Sequence, residues 1–215
     1  MGKSKITVNY VTSSDFKMEE NKVFVEHCVL PDGSKVSEHF IFQFRKLPIR
    51  EMLEVDLVVM VQAEVATAYS QIKVPCIVEH AGLVFHDYKD RSYPGGLTKP
   101  MWDTLKERFL EETNSAGRRV AARAVIAYCD GKGIRTFVGE TEGKLANVPR
   151  GAREFYWDTV FVPNDPESGG RTYAEIVDTP ELGLRYKVTK LSQSTKAMLE
   201  FLKFLLQNPK SDLWR

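Results

Sequence analysis

The sequence lacks the features of a disulfide-linked or zinc-binding protein. Its three cysteines, Cys28, Cys76 and Cys129, are widely spaced and odd in number, with no CxxC or Cys/His spacing among them. Disulfide frameworks need paired cysteines, and zinc sites need closely spaced ligands. We therefore expect three buried thiols in a reducing compartment.

Long apolar runs and an excess of one charge are also missing. No run approaches the ~20 residues of a membrane helix, and the N-terminal apolar segment is a short alternation rather than a signal-peptide core. Thirty basic and 29 acidic residues give a net charge of +1, which argues against a broad surface for nucleic acid. These absences predict a cytoplasmic protein without a membrane or nucleic-acid partner.

What is present indicates one soluble domain of mixed α/β type. Hydrophobic residues make up 43% and charged residues 27% of the chain, close to the average for globular proteins. No internal repeat, linker or low-complexity tract divides the sequence, so a single domain over residues 1–215 is favoured.

Periodicity predicts the order of the helices and strands. Apolar alternation predicts a strand at residues 5–12, and two β-rich segments flanking PDGS predict a hairpin around residues 31–34. Apolar spacings of three and four predict helices at 54–72 and from about residue 100. The remaining predictions are strands at 74–78, 119–129, 134–139 and 158–163, and a final helix at 195–207.

Two polar stretches have the composition of phosphate-binding loops. In VTSSDFK, the hydroxyls of Thr12, Ser13 and Ser14 precede Lys17 at the start of a helix, where oxygen anions bind. The alternative is a plain helix cap by Ser13 or Ser14. In SYPGGLTKP, Gly95 allows a close backbone approach and Lys99 adds charge, although a loop with a solvated lysine fits equally well.

Two further stretches carry aromatic and titratable side chains. REFYWDTVF places three aromatic residues beside Asp158, which suits base stacking and hydrogen bonding but is also common in cores. VPCIVEHAGLVF ends a buried strand with Glu79 and His80. Glu79 can bind Mg²⁺ together with phosphates and His80 can act as a general base, while the alternative is a structural histidine.

Taken in order, these stretches resemble the inosine triphosphate pyrophosphatase family, as a divergent member. VTSSDFKMEE resembles the family pattern V-T-G-N-x-x-K-x-x-E, VPCIVEHAGLVF resembles P-V-x-V-E-D-T/S-G-L-x-F, and YPGGLTK resembles P-G-x-Y-x-K. FVGETEGKLANVPRGAREFYWDTVFVP is similar to F-x-G-x-x-x-G-x-I-x-x-P-R-G-x-x-x-F-G-W-D-P-x-F-x-P, and TYAEI is similar to T-Y-A-E-M. The resemblance extends from about residue 5 to residue 206.

This resemblance implies a long mixed β-sheet flanked by helices, with two lobes, a central nucleotide cleft and a homodimeric assembly. It implies hydrolysis of purine nucleoside triphosphates with non-standard bases to the monophosphate and pyrophosphate, with Mg²⁺, or Mn²⁺, as cofactor. By position it assigns catalysis to Lys17, Glu79 and His80 and the metal to Glu79 and Glu51. Its substrate-binding residues are Thr12, Ser13, Ser14, Lys17, Gly95, Lys99, Phe155, Tyr156, Trp157, Asp158, Lys187, Ser192 and Gln193.

Several positions depart from the family pattern. His80 stands where the second carboxylate of the family's E-D is expected. A further family acid follows Leu-Pro, but that position holds Ile49 in this chain, so Glu51 or Glu54 would have to take the place of that acid. Where the family pattern has S-H-R, which contacts the purine, this chain has Ser192-Gln193-Ser194. Four residues before Ser192 the family has a lysine and this chain has Val188, although Lys187 and Lys190 are close by.

These departures predict an altered base preference and leave three functions open. The first is an active Mg²⁺-dependent pyrophosphatase. The second is a catalytically weakened, nucleotide-binding homologue. The third is an enzyme of the same family that cleaves a different group, such as a diphosphate or a modified nucleotide.

Overall fold

The computed structural model describes residues 4–152 and 155–208 and has one mixed sheet at its centre. The strands are β1 (Ile6–Val11), β2 (Phe40–Arg45), β3 (Cys76–Phe85), β4 (Arg119–Cys129), β5 (Ile134–Leu145) and β6 (Phe161–Pro163). They lie in the order β2-β1-β3-β4-β5-β6. The β1 strand pairs in parallel with β2 and β3, whereas the β3–β4, β4–β5 and β5–β6 pairs are antiparallel.

Eight α-helical segments are connected to this sheet in the described part of the chain. They are α1 (Asp15–His27), α2 (Val36–His39), α3 (Leu57–Ile72), α4 (Thr98–Leu105), α5 (Phe109–Glu112), α6 (Tyr173–Asp178), α7 (Gly183–Tyr186) and α8 (Gln193–Gln207). A π-helical turn, Lys187–Leu191, follows α7 directly. The predicted strands β1 and β4 and the helices α3 and α8 are confirmed. The helix predicted from about residue 100 is broken after Leu105. The strand β3 continues to Phe85, so Glu79 and His80 lie within this strand and not at its end, and β5 is likewise longer than predicted.

The hairpin predicted around residues 31–34 is confirmed only as a tight turn closed by one antiparallel bridge between Val29 and Lys35, and its two longer arms are wrong. The segment before it belongs to α1, and β2 pairs in parallel with β1 rather than with a hairpin partner. Alternating valines and Phe24 suggested a strand, but a helix also brings Phe24 into the core, where it meets Phe42 of β2 in an edge-on ring contact. Tertiary packing and the cap at Ser14 therefore outweigh the local β-propensity.

Alternate residues of β4 separate two hydrophobic layers. Ala124, Ile126 and Tyr128 pack with α1 and α8 on one face, whereas Val125, Ala127 and Cys129 pack with α3 on the other. Strand residues point to opposite faces in turn, so both faces of the central sheet are covered. A third cluster at the far end joins Trp102, Phe109, Trp157 and Phe161. The predicted α/β fold is confirmed.

A close backbone contact fixes the segment that carries Lys99. A Cβ atom on Gly82 of β3 would lie 2.1 Å from the carbonyl oxygen of Gly95, and one on Gly95 would lie 2.0 Å from that of Val55. Thr98, fully buried, accepts a hydrogen bond from the Leu83 N–H at 2.9 Å. These contacts position the start of α4 against β3.

None of the helices in the described part of the chain combines the length and the apolar character that crossing a membrane requires.

Candidate active site

A cavity of about 430 Å³ lies beside the parallel strands β1 and β3, and nearly all the predicted site residues line it. The exception is Gly95, which lies between Gly82 and Val55 and supports the α4 segment from outside the cavity. The predicted residues that line it are Thr12, Ser13, Ser14, Lys17, Glu51, Glu79, His80, Lys99, Phe155, Tyr156, Trp157, Asp158, Lys187, Ser192 and Gln193.

The loop after β1 forms the N-terminus of α1. Ser14 is the N-cap and its hydroxyl accepts a hydrogen bond from the Lys17 N–H at 3.3 Å. The capping prediction is confirmed, and a helix N-terminus of this kind is also where oxygen anions bind. The Lys17 ammonium donates to the carbonyl oxygen of Glu79, which ties α1 to β3.

Glu79 is buried and anchored on both carboxylate oxygens. Its Oε2 accepts from the Tyr10 hydroxyl and its Oε1 from the Ser194 hydroxyl at 2.7 Å. Burial acts to raise the pKa of Glu79, but the Lys17 charge and the two hydroxyl donors outweigh it, so that the pKa lies below its ordinary value. Glu79 is therefore a fixed anion at neutral pH.

His80 is in close contact with a carboxylate that the sequence did not single out. Its Nε2 lies 2.6 Å from Oε2 of Glu64, and the two side chains are 15% and 3% exposed. Glu64 lies on the buried face of α3, and it lines the same cavity. The position where a carboxylate was expected thus holds a histidine with its own buried acid.

Glu51 and Lys99 form a second pair at the cavity edge. The Lys99 ammonium donates to both carboxylate oxygens of Glu51 at 2.8 and 2.9 Å. Burial acts against the charge of Glu51, but Lys99, His80 and Lys17 together lower its pKa. Of the two acids considered after Leu-Pro, Glu51 lines the cavity, whereas Glu54 accepts a hydrogen bond from the Asp56 N–H.

The donor set of the cavity fits a metal ion only if the substrate supplies further ligands. Among residues 4–152 and 155–208, no group of three or more His, Cys, Asp or Glu side chains is arranged to hold a metal. Mg²⁺ is commonly bound by one or two carboxylates together with substrate phosphates. Glu51 and Glu79 fit that limited role.

Lys187 is a buried ammonium between two acids. It is 2% exposed, contacts Glu20 Oε1 at 2.8 Å and donates to Asp158 Oδ2. Burial lowers the pKa of Lys187, but the charges of Asp158 and Glu20 outweigh it and raise the pKa above its ordinary value. Its ammonium also lies over the rings of Phe155 and Tyr173, 5.4 and 5.0 Å from their centroids.

The π-helical turn explains why the lysine precedes Ser192 by five residues rather than four. The Ser192 N–H donates to the Lys187 carbonyl at 2.9 Å, an i to i+5 bond that accommodates one more residue than an α-turn. Val188, at the position expected for lysine, is 1% exposed and packs in the core. Both residues line the cavity, and the Lys187 ammonium contacts Glu20 and Asp158 there.

The remaining residues form the aromatic side of the cavity. Phe155 stacks on Phe16, with ring centroids 4.8 Å apart and planes at 21°. Trp157 is buried against Phe161 and Tyr173. Gln193 accepts from the Tyr173 hydroxyl at 3.2 Å. Residues 153–154 of the quoted PRGAREFYWD motif lie outside the described residues.

Sequence reasoning missed Tyr10, Phe16, Glu20 and Glu64, all of which line the cavity, and it named Ser194 only as a departure from the family pattern. Glu64 gave a signal, because it is the one charged residue on the apolar face of α3. Tyr10 gave none, since its role depends on the contact between its hydroxyl and Glu79 in the folded chain, and the contact of Ser194 with Glu79 was likewise not predictable.

Comparisons with known proteins identify the family and the fold. Inosine triphosphate pyrophosphatase 2 of Trypanosoma cruzi is 32% identical, with 82% of this chain and 84% of that protein covered. Inosine triphosphate pyrophosphatase of Candida glabrata is 30% identical, with coverages of 92% and 96%. A HAM1 protein structure from Coxiella burnetii superposes with a TM-score of 0.67 at 19% identity, covering 94% and 99% of the two chains, which shows a common fold.

The family resemblance predicted from the quoted motifs is confirmed by these relatives and by a family model, described as the Ham1 family, that matches residues 8–202. The chain belongs to the Ham1 family.

Proposed function

We propose that the protein hydrolyses a nucleoside triphosphate with a non-standard purine base to the monophosphate and pyrophosphate, as house-cleaning of the nucleotide pool. The observation that carries this proposal is the presence of Lys17, Lys99 and Lys187 in one cavity with the aromatic residues Phe155 and Tyr156. Ammonium groups bind polyphosphates and aromatic faces stack on bases. The names of the two pyrophosphatase relatives support the same substrate class.

The phosphate chain binds at the N-terminus of α1. Thr12, Ser13 and Ser14 supply hydroxyl and backbone donors there, and Lys17 and Lys99 offset the phosphate charge. His80 orients a water molecule toward the α-phosphorus and accepts its proton. The water oxygen forms a bond to the α-phosphorus as the bond from this phosphorus to the bridging oxygen breaks, and pyrophosphate leaves. The backbone carbonyl of Glu79 accepts a hydrogen bond from the Lys17 ammonium, and the Glu79 carboxylate adds a fixed negative charge nearby.

The base binds on the aromatic side, against Phe155 and Tyr156, with Trp157 as a buried support. Asp158 and Lys187 form a charged pair at its edge, and Ser192 and Gln193 complete the contacts. Gln193 offers a neutral amide where the family pattern has charged donors. A neutral donor that can also accept discriminates less strongly between bases, so we propose a broader base preference.

We propose that the reaction depends on Mg²⁺, with Mn²⁺ as a substitute, and that Glu51 and Glu79 share it with the phosphates. When bound, the ion neutralises phosphate charge and polarises the phosphorus–oxygen bonds. Addition of EDTA is expected to abolish turnover, and Mg²⁺ in excess of the chelator is expected to restore it. Turnover at an unchanged rate in the presence of EDTA would refute the dependence on a divalent metal ion.

The experiment that tests the main proposal measures pyrophosphate release. The pure protein is incubated with ITP, XTP, dITP and the four standard triphosphates, with Mg²⁺ or Mn²⁺. Release above a Lys17→Ala control on at least one purine triphosphate is expected. Background release from every substrate would refute it.

A second candidate is a nucleotide-binding protein with weakened chemistry. The pairing of His80 with Glu64 favours it, because that histidine stands where the family pattern has a water-activating or metal-binding acid. Calorimetry separates the two functions. Binding of a purine triphosphate without turnover would support the weakened homologue, whereas turnover would exclude it.

The family resemblance also supports a homodimer in the cytoplasm, and we propose both. Size-exclusion chromatography with light scattering is expected to give twice the mass of one chain, and a monomer at micromolar concentration would refute the dimer. Cell fractionation is expected to recover the protein with cytoplasmic markers.

A further inference from the structure

Glu64 is a carboxylate on a face of α3 that is otherwise apolar. Leu57, Val61, Val65 and Ala68 share that face and are nearly inaccessible. Glu64 is 3% exposed. A buried carboxylate is costly unless it is paired, so its presence among these side chains calls for a role that an apolar residue could not fill.

Within the described part of the chain, the one titratable side chain in contact with the Glu64 carboxylate is His80. Oε2 lies 2.6 Å from the histidine Nε2, whereas Oε1 is buried and accepts no hydrogen bond from a described residue. The pair lines the cavity beside Glu79. His80 Nδ1 makes no hydrogen bond within residues 4–152 and 155–208, and it is the ring nitrogen left for a ligand or water.

We propose that Glu64 is a positioning residue for His80: it holds the imidazole by Nε2 and thereby directs Nδ1 into the cavity toward the attacking water. The inference rests on the proposed hydrolysis and assigns no contact between Glu64 and the nucleotide. A carboxylate that fixes one ring nitrogen determines both the ring orientation and the tautomer presented by the other.

The first test replaces Glu64 with glutamine, which keeps the size and can still hydrogen-bond. An amide can donate as well as accept, so the imidazole is no longer held in one orientation. In the full-length protein, Glu64→Gln is expected to lower kcat about tenfold. KM is expected to change less than about threefold, because uniform substrate binding is untouched. A kcat within about twofold of the wild type would overturn the proposal.

The chain offers a matched control. His86 Nε2 and Glu142 Oε2 form another histidine–glutamate contact, which lies outside the cavity lining. Glu142→Gln is expected to leave kcat and KM unchanged. An equal loss of kcat in Glu142→Gln would assign the effect to general destabilisation and overturn the specific role of Glu64.

A double-mutant cycle tests whether Glu64 acts through His80. His80→Ala removes the group that Glu64 positions, so adding Glu64→Gln to it is expected to reduce kcat no further. Effects that multiply would show that Glu64 acts independently of His80, and this result would overturn the proposal.

Nitrogen-15 NMR of the histidine rings tests the positioning without turnover. The chain has 4 histidines, and loss of signals in His80→Asn assigns the ring of interest. Glu64→Gln is expected to shift both ring nitrogens of His80, and unchanged signals would overturn the proposal. If the wild type hydrolysed no triphosphate, the proposed function would fail, but these spectra would still decide whether Glu64 holds His80.

Discussion

At the scale of single residues, three carboxylates of the cavity are held by three different kinds of partner. Glu79 is held by two hydroxyls, Glu51 by an ammonium and Glu64 by an imidazole. Because the partners differ, replacing one side chain has consequences that depend on the group left behind.

Lys187 provides the clearest stability prediction. Lys187→Met removes the ammonium that lies between Glu20 and Asp158 and keeps an unbranched apolar side chain about as long as the lysine stem. Breaking a buried ion pair in this way is expected to lower the free energy of unfolding by about 3 kcal/mol. For a chain of this size the melting temperature is expected to fall by roughly 10 °C. Differential scanning calorimetry checks it, with the exposed neighbour Lys190→Met as a control that should melt like the wild type.

A second residue-scale prediction concerns restoring the family carboxylate. From the sequence alone, His80→Asp would be expected to recover any lost activity. The structure adds buried Glu64 next to position 80, so the single change would bring two carboxylates together. We expect His80→Asp to lower the melting temperature and the double variant Glu64→Gln/His80→Asp to recover it. Equal melting curves for the two variants would contradict this.

At the scale of elements, the family motifs were a better guide than periodicity. Periodicity correctly predicted α3, β4 and α8, where the apolar pattern and the packing agree. It failed at α1, since Val23, Phe24 and Val25 are compatible with a strand until the Ser14 cap and the parallel β1–β2 pair are known. The site residues near the quoted motifs were predictable, but Glu64 on α3 required the fold that brings it to His80.

The π-helical turn supplies an element-scale prediction. Deleting exposed Lys190 shortens the turn by one residue, so an α-turn would rotate Lys187 by about 100° relative to α8. We expect purine nucleotide binding to weaken at least about tenfold by calorimetry, because the ammonium leaves the cavity. Lys190→Ala keeps the length of the turn and should bind normally. Normal binding by the deletion variant would refute the argument.

The β3–β4 pair supplies a prediction about pH. Cys76 lies opposite Cys129 in the register, and burial, with a smaller effect of Cys129, raises the pKa of Cys76 from 9.0 to about 12. The unfolded thiol ionises first as pH rises, so its contribution to stability is full below pH 9 and declines above it. Urea unfolding of Cys76→Ala should therefore lose less stability between pH 9 and pH 11 than the wild type. Parallel losses would contradict this.

At the scale of the whole molecule, the cavity joins segments that are distant in sequence. The helix α1, the strand β3, the start of α4 and the π-helical turn each contribute a charged side chain to it. A ligand that bridges them binds the folded chain and not the unfolded one, so it must stabilise the entire fold.

This linkage gives the broadest prediction. With EDTA present to prevent turnover, ITP at about one hundred times its Kd is expected to add about 2.7 kcal/mol to the free energy of unfolding. The melting temperature should then rise by roughly 5 to 10 °C. Lys187→Met should show a smaller rise, because one of the bridging charges is missing, whereas Lys190→Met should match the wild type. Since both candidate functions require a nucleotide in this cavity, the absence of any shift with purine triphosphates, with or without Mg²⁺, would refute both together.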